Sequence, residues 1–182
     1  MKKQIVVLLL LCVSGCLSTP DALSGSLSEQ RFYFEMTHAN YAWVKQLRGV
    51  YIDRQGDVYA YDHSHAMWEP ADPDAYTAEE LLQKFDSQKD HIGTVDAATL
   101  RRMTALIDAA AQGRLSEPVN ECADAGITAY LAYQFDRNSG KYLPVVLYQA
   151  GDWAQKNLSD EAATLSEWLF TFEGWQPGAC LP

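Results

Sequence analysis

An α+β fold, a mostly antiparallel sheet with helices packed on one face, is what this 182-residue sequence predicts. Three observations predict it. Two pairs of apolar runs each flank a short Asp/Gly-containing gap, the mark of β-hairpins. Three segments repeat apolar residues at helical spacing. The strands and helices come in blocks rather than in βαβ alternation, which separates α+β from α/β. A hydrophobic content of 48%, with 12% aromatic residues, supplies the material for one packed core.

The elements follow in order. Arg31 opens "RFYFEMT", alternating and rich in β-favouring aromatics, so a strand is expected there. "NYAWVKQ" from Asn40 reads equally as a loop or a short helix. In "LRGVYIDRQGDVYAYDH", two apolar runs bracket Asp53 to Asp57 and predict a hairpin. Thr77 followed by Glu80 is a capping box at the start of a helix whose buried stripe is Leu81, Leu82 and Phe85. "TVDAATLRRMTALIDAAAQG" predicts one continuous helix with Leu100, Met103, Leu106, Ile107 and Ala110 inward and Gly113 as its stop. "ITAYLAYQFDRNSGKYLPVVLY" predicts a second hairpin turning at Asn138-Ser139-Gly140. Pro144 cannot donate to a ladder, so its strand should be an edge or bulged at that point. The last helix is expected near Ser159, with Leu158 as a hydrophobic staple and Leu165, Trp168, Leu169 and Phe172 as its apolar face.

The amino terminus has a different character. Lys2 and Lys3 precede an apolar run from Ile5 to Val13, then Ser14, Gly15 and Cys16. The run is too short to cross a bilayer, which takes roughly 20 residues, and has the shape of a secretory signal. "VSGC" at Val13 to Cys16 resembles the lipobox of bacterial lipoproteins. The resemblance implies cleavage after residue 15, a diacylglycerol on the Cys16 thiol and a fatty acyl group such as palmitate on the new amino terminus. Cys12 would leave with the signal. Leu17 after the anchor resembles the outer-membrane type, facing the periplasm if the source is Gram-negative. An ordinary signal that happens to contain cysteines is the alternative. Residues 1–15 thus read as signal peptide, 16–30 as lipidated cysteine and flexible tether, and 31–182 as a single globular domain. The tether "LSTPDALSGSLSEQ" would span on the order of 20 Å.

The whole chain carries a net charge of −10; the mature one, with 24 acids against 12 bases, carries −12. Such a surface repels nucleic acid and anionic headgroups, so membrane contact is expected through the lipid alone. Two cysteines survive in the body, Cys122 and Cys180, and an even pair in an exported chain suggests a disulfide. It would staple the last helix to the sheet and contribute roughly 4 kcal/mol by restricting the unfolded chain. A free thiol pair is the other reading.

Signals for chemistry are sparse. His63 and His65 would leave the same face if the strand continued that far, a bidentate zinc arrangement needing a third ligand from His91, His38 or Glu69. A solvated strand end accounts for both histidines without metal and is favoured; there is no HExxH. "DRNSGK" at Asp136 loosely matches a calcium loop but lacks its further acidic ligands, and a hairpin turn explains Asp136, Asn138 and Gly140 as well. "DRQGD" at Asp53 reads the same way. No GxSxG elbow, glycine-rich phosphate loop or dinucleotide fingerprint is present, and Cys122 would be a nucleophile only if unoxidised and joined by His38 or His91. The positive clue is tyrosine. With helices on one face only, Tyr59, Tyr61, Tyr130 and Tyr133 could stand on an open sheet face, where tyrosine serves binding. Completion of the core is the competing reading.

The resulting expectation is an envelope-anchored lipoprotein that is a non-enzymatic binding module without a cofactor. Its partner would be a protein or an envelope polymer, basic by charge steering, as for an inhibitor or immunity protein. A small envelope hydrolase with a His63/His65 metal site and a structural lipoprotein are the alternatives.

Overall fold

The computed structural model describes residues 29–42, 45–63, 68–86 and 89–172. The elements run β1 (Phe32–Asn40), β2 (Gln46–Asp53), β3 (Asp57–Asp62), α1 (Ala78–Phe85), β4 (Asp90–Thr94), α2 (Ala97–Thr104), α3 (Ile107–Ala110), β5 (Val119–Asn120), β6 (Ile127–Asp136), β7 (Lys141–Gly151), β8 (Trp153–Lys156) and α4 (Asp160–Leu169). The strands form one eight-stranded sheet in the order β4-β3-β2-β1-β6-β7-β8-β5, every pairing antiparallel. The α+β class is as the sequence predicts; β4, β5 and β8 are additional strands.

Both hairpins turn on an aspartate that accepts from backbone. Asp53 Oδ1 accepts from the Gln55 and Asp57 amides at 2.9 Å each, and Gly56 adopts φ +87°. That φ and the approach of the Val95 carbonyl, 2.5 Å from where a Cβ would stand, both require glycine. Asp136 Oδ1 accepts from the Asn138 amide (2.9 Å) and Oδ2 from the Ser139 hydroxyl (2.6 Å), so this carboxylate is a turn acceptor. Pro144 sits where β7 has no outer neighbour, since β8 pairs only with Tyr148 and Gln149.

The capping box at α1 is complete, with Thr77 and Glu80 each closing on the other's backbone. At α4, Ser159 Oγ accepts from the Ala162 amide at 3.2 Å. Leu158 forms no staple: it is 46% exposed. The predicted long helix is interrupted after Thr104 and resumes at Ile107, so it is α2 followed by the single turn of α3.

Helices do not lie on one face. A β-bulge between Phe32 and Phe34 in β1 sends these two aromatics to opposite sides of the sheet. On one side Phe34, Met36, Val50, Ile52 and Val58 pack with α2, α3 and α4 through Leu100, Met103, Ile107, Leu165 and Leu169. On the other, Phe32, Leu47, Tyr51, Tyr61, Tyr133 and Tyr142 pack with Leu81 and Phe85 of α1. The central strands are apolar on both faces, so a cover on one side would leave six large side chains in water. Among the described residues, both cores are built from residues 32–172. No helix among the described residues is long and apolar enough to cross a membrane.

Candidate functional site

The second core encloses a cluster of charged and polar groups. Glu35, on β1, faces α1 and has no solvent exposure; Lys84 of α1 is 4% exposed. Lys84 Nζ lies 2.7 Å from Glu35 Oε1 and 3.0 Å from Oε2. Tyr61 from β3 donates its hydroxyl proton to Oε1, and Tyr133 from β6 donates to Oε2. Thr37 Oγ1 stands 2.9 Å from the Tyr61 oxygen. Above the pair, Lys84 Nζ sits 4.5 Å from the Trp68 ring centroid, a cation–π contact, while Trp68 Nε1 donates to the Glu80 carbonyl at 3.0 Å.

The members arrive from β1, β3, β6, α1 and the segment before α1, and one glycine makes the convergence possible. Tyr61 must cross β2 to reach Glu35 on β1. It does so over Gly49, where a Cβ would stand 2.5 Å from the tyrosine oxygen and 2.5 Å from the Met36 carbonyl. Burial pushes the Tyr61 and Tyr133 hydroxyls well above their ordinary pKa, and the Glu35 charge adds to it. Both therefore remain donors across the working pH range. Tyr76 beside them is pushed up to about 12, again by burial and then by Glu35. The carboxylate thus has its lone pairs occupied by two hydroxyls and an ammonium, in a site closed to water. Such a cluster holds α1 and the Trp68 segment on the sheet.

The tyrosines expected on an open face are therefore interior. Tyr61, Tyr130 and Tyr133 are buried, because both faces of the sheet are covered; only Tyr59 is half-exposed, stacked on Tyr51 at 5.2 Å. Tyr130 packs against Phe170 at 4.7 Å on the α4 side.

The histidines do not converge. His63 Nε2 is bound at 2.9 Å to the Gln83 carbonyl oxygen, and His91 Nε2 stands 3.3 Å from Asp57 Oδ1. His38 is buried with Nδ1 3.0 Å from Thr128 Oγ1. Burial pushes its imidazole below the usual range, and the Arg48 charge adds to this. Among the described residues no three His, Cys, Asp or Glu side chains are grouped to hold a metal ion. Glu69 is exposed, and Cys122 is half-buried in the loop before β6. Cys16, His65 and Cys180 lie outside the described residues.

Two further features lie on the surface, at the β4 edge and at the end of β2. β4 ends the sheet and is largely exposed. A bulge in its pairing with β3 leaves Ile92 without a partner residue, 48% exposed. Beside it lies an open cleft of about 300 Å³, lined by Val58, Ile92, Gly93, Trp168 and Phe172 among others. At the far end of β2, a smaller cavity of about 200 Å³ is lined by polar and charged groups. Sequence reasoning misses Glu35, Lys84 and Ile92. Two signals were available: a lone acid inside an aromatic strand, and a glycine inside an otherwise apolar one. No protein-family model matches the chain, and no curated protein and no solved structure matches it either.

Proposed function

We propose that the chain is an envelope-anchored lipoprotein, tethered through Cys16, whose folded domain binds a basic protein partner without transforming it. The observation that supports this reading is the apolar cleft beside β4. Bulges re-aim side chains at sheet edges, and this one turns Ile92 outward, next to Trp168 and Phe172. Apolar clefts of this size accept a single large side chain, and such anchors dominate binding energy at protein interfaces. The bulge also blunts β4 against pairing with another strand, so side-chain docking is the mode proposed. The net charge of −10 would steer a positively charged partner to the domain. Leu17 beside the anchor favours the outer membrane of a two-membrane envelope, and a disulfide from Cys122 to Cys180 would close the carboxy-terminal segment onto the loop before β6.

The test is a pull-down with residues 17–182, wild type and Ile92→Lys, against the solubilised envelope and secreted proteins of the source cell. One stoichiometric partner captured by the wild type and lost with Ile92→Lys supports the reading. Equal capture by both, or none by either, overturns it. Labelling cells with a palmitate analogue tests the anchor separately: Cys16→Ser should abolish incorporation.

A further inference from the structure

The 200 Å³ cavity gathers positive charge on a chain that is strongly negative. Acidic residues outnumber basic ones by 24 to 14, yet the cavity is lined by Arg31, Arg54 and Lys89 with one carboxylate, Asp53. They come from three places: the start of β1, the β2–β3 turn and the residue before β4. Tyr51 and Tyr59, stacked at 5.2 Å with planes 23° apart, also line it.

Asp53 keeps its charge, but its oxygens are engaged within the turn and make no direct ion pair with Arg31, Arg54 or Lys89. Its Oδ1 accepts from the Gln55 and Asp57 backbone amides, and with the Gln55 side-chain amide in the orientation that satisfies both of its neighbours, the amide nitrogen donates to Oδ2 at 3.1 Å. The Gln55 amide oxygen in turn accepts from Arg54 Nε at 2.8 Å, which fixes the base of that guanidinium. Arg54 and Lys89 pair with Glu29 and Asp86, whose side chains are 65% and 69% exposed. Exposed pairs of this kind contribute little and yield to a more highly charged ligand. The Arg31 side chain pairs with no acid among the described residues; its guanidinium stands 5.8 Å from the Phe32 ring centroid. Guanidinium forks suit phosphate oxygens in particular. The volume is below that of sites for drug-sized ligands, so it suits a phosphate group with a small substituent rather than a nucleotide.

We infer that this cavity binds a phosphomonoester, and that the source of that phosphate is a lipid headgroup of the membrane carrying the anchor. The first half stands on the cavity alone. The second rests on the lipoprotein reading and on position: Arg31 and Glu29 lie at the junction between tether and domain, so the cavity opens where the chain arrives from the membrane. The overall negative charge then describes the rest of the surface, and this end is the exception to it.

Two probes separate the halves. Residues 17–182 are titrated calorimetrically with inorganic phosphate, and floated with phosphatidylcholine vesicles with and without phosphatidate. Both binding to a single site and flotation only with phosphatidate are expected. Arg31→Gln should weaken phosphate about tenfold, and Arg31→Gln with Arg54→Gln should abolish both signals. Both arginines are solvent-facing, so unchanged urea midpoints will show that these variants remain folded. Absence of phosphate binding, or binding that survives the double substitution, overturns the site. Phosphate binding without flotation upholds the site and overturns the lipid source. Because residues 17–182 lack Cys16, a failed palmitate labelling leaves the phosphate arm intact.

Discussion

Replacing Lys84 by Met removes the Nζ cation that pairs with Glu35 and lies over the Trp68 ring, and keeps a side chain of similar length. The ammonium lies 2.7 and 3.0 Å from the two carboxylate oxygens, with side-chain exposures of 5% and 0%. At about 3 Å and an effective dielectric near 20, the direct attraction is roughly 5 kcal/mol. Relief of the lysine's own desolvation offsets part of that, and stranding one member of a buried pair typically costs about 3–5 kcal/mol. Tyr61 and Tyr133 still donate to the carboxylate, which places the expectation near 4 kcal/mol. With a urea slope of about 2 kcal/mol/M, the midpoint should fall by roughly 2 M, followed by tryptophan fluorescence. Adding Glu35→Gln removes the stranded charge and should recover about half of the loss. A Lys84→Met midpoint within about 0.5 M of wild type would refute the argument, as would a double variant no more stable than the single one.

Three further outcomes are expected. Gly49→Ala places a methyl group against the Met36 carbonyl and the Tyr61 hydroxyl, and should destabilise by about 2–3 kcal/mol in the same assay. His38 has a folded pKa below its unfolded one, so the unfolded chain binds more protons; stability should fall as pH drops below about 6.5, and His38→Gln should flatten that slope between pH 7.5 and 5.5. Ser159→Ala removes the acceptor for the Ala162 amide and should destabilise by about 1 kcal/mol.

The sequence was most readable where structure is set locally. The Asp53 and Asp136 turns, the Thr77–Glu80 box and the Ser159 cap each depend on residues within a few positions. What it hid depends on distant partners. β4 reads "DHIGT", one apolar residue among polar ones, and becomes a strand only because β3 offers it an edge. β5 has two residues and exists through its bridge to β8. Lys84 looks like any outward helical lysine until Glu35, 49 positions away, is placed beneath it. The cationic cavity is assembled from Arg31, Arg54 and Lys89, none of which neighbours another in the chain. The tyrosines misled because helices cover both faces of the sheet, and which faces are covered is set by where distant helices pack, not by any pattern within the strands. β1 holds a second hidden feature, a change of phase partway along that no alternation pattern reveals.

That change of phase gives Tyr33 a peculiar status. β1 is two regular stretches joined by one surplus residue: Phe32 pairs with Asp53 and Phe34 with Ile52, leaving Tyr33 between them. Removing Tyr33 alone would close the ladder without turning any neighbouring side chain over. Removing any residue from Met36 to Ala39 would instead invert the stretch that follows it relative to Glu35. Among positions in this strand, length can change freely at one point and almost nowhere else.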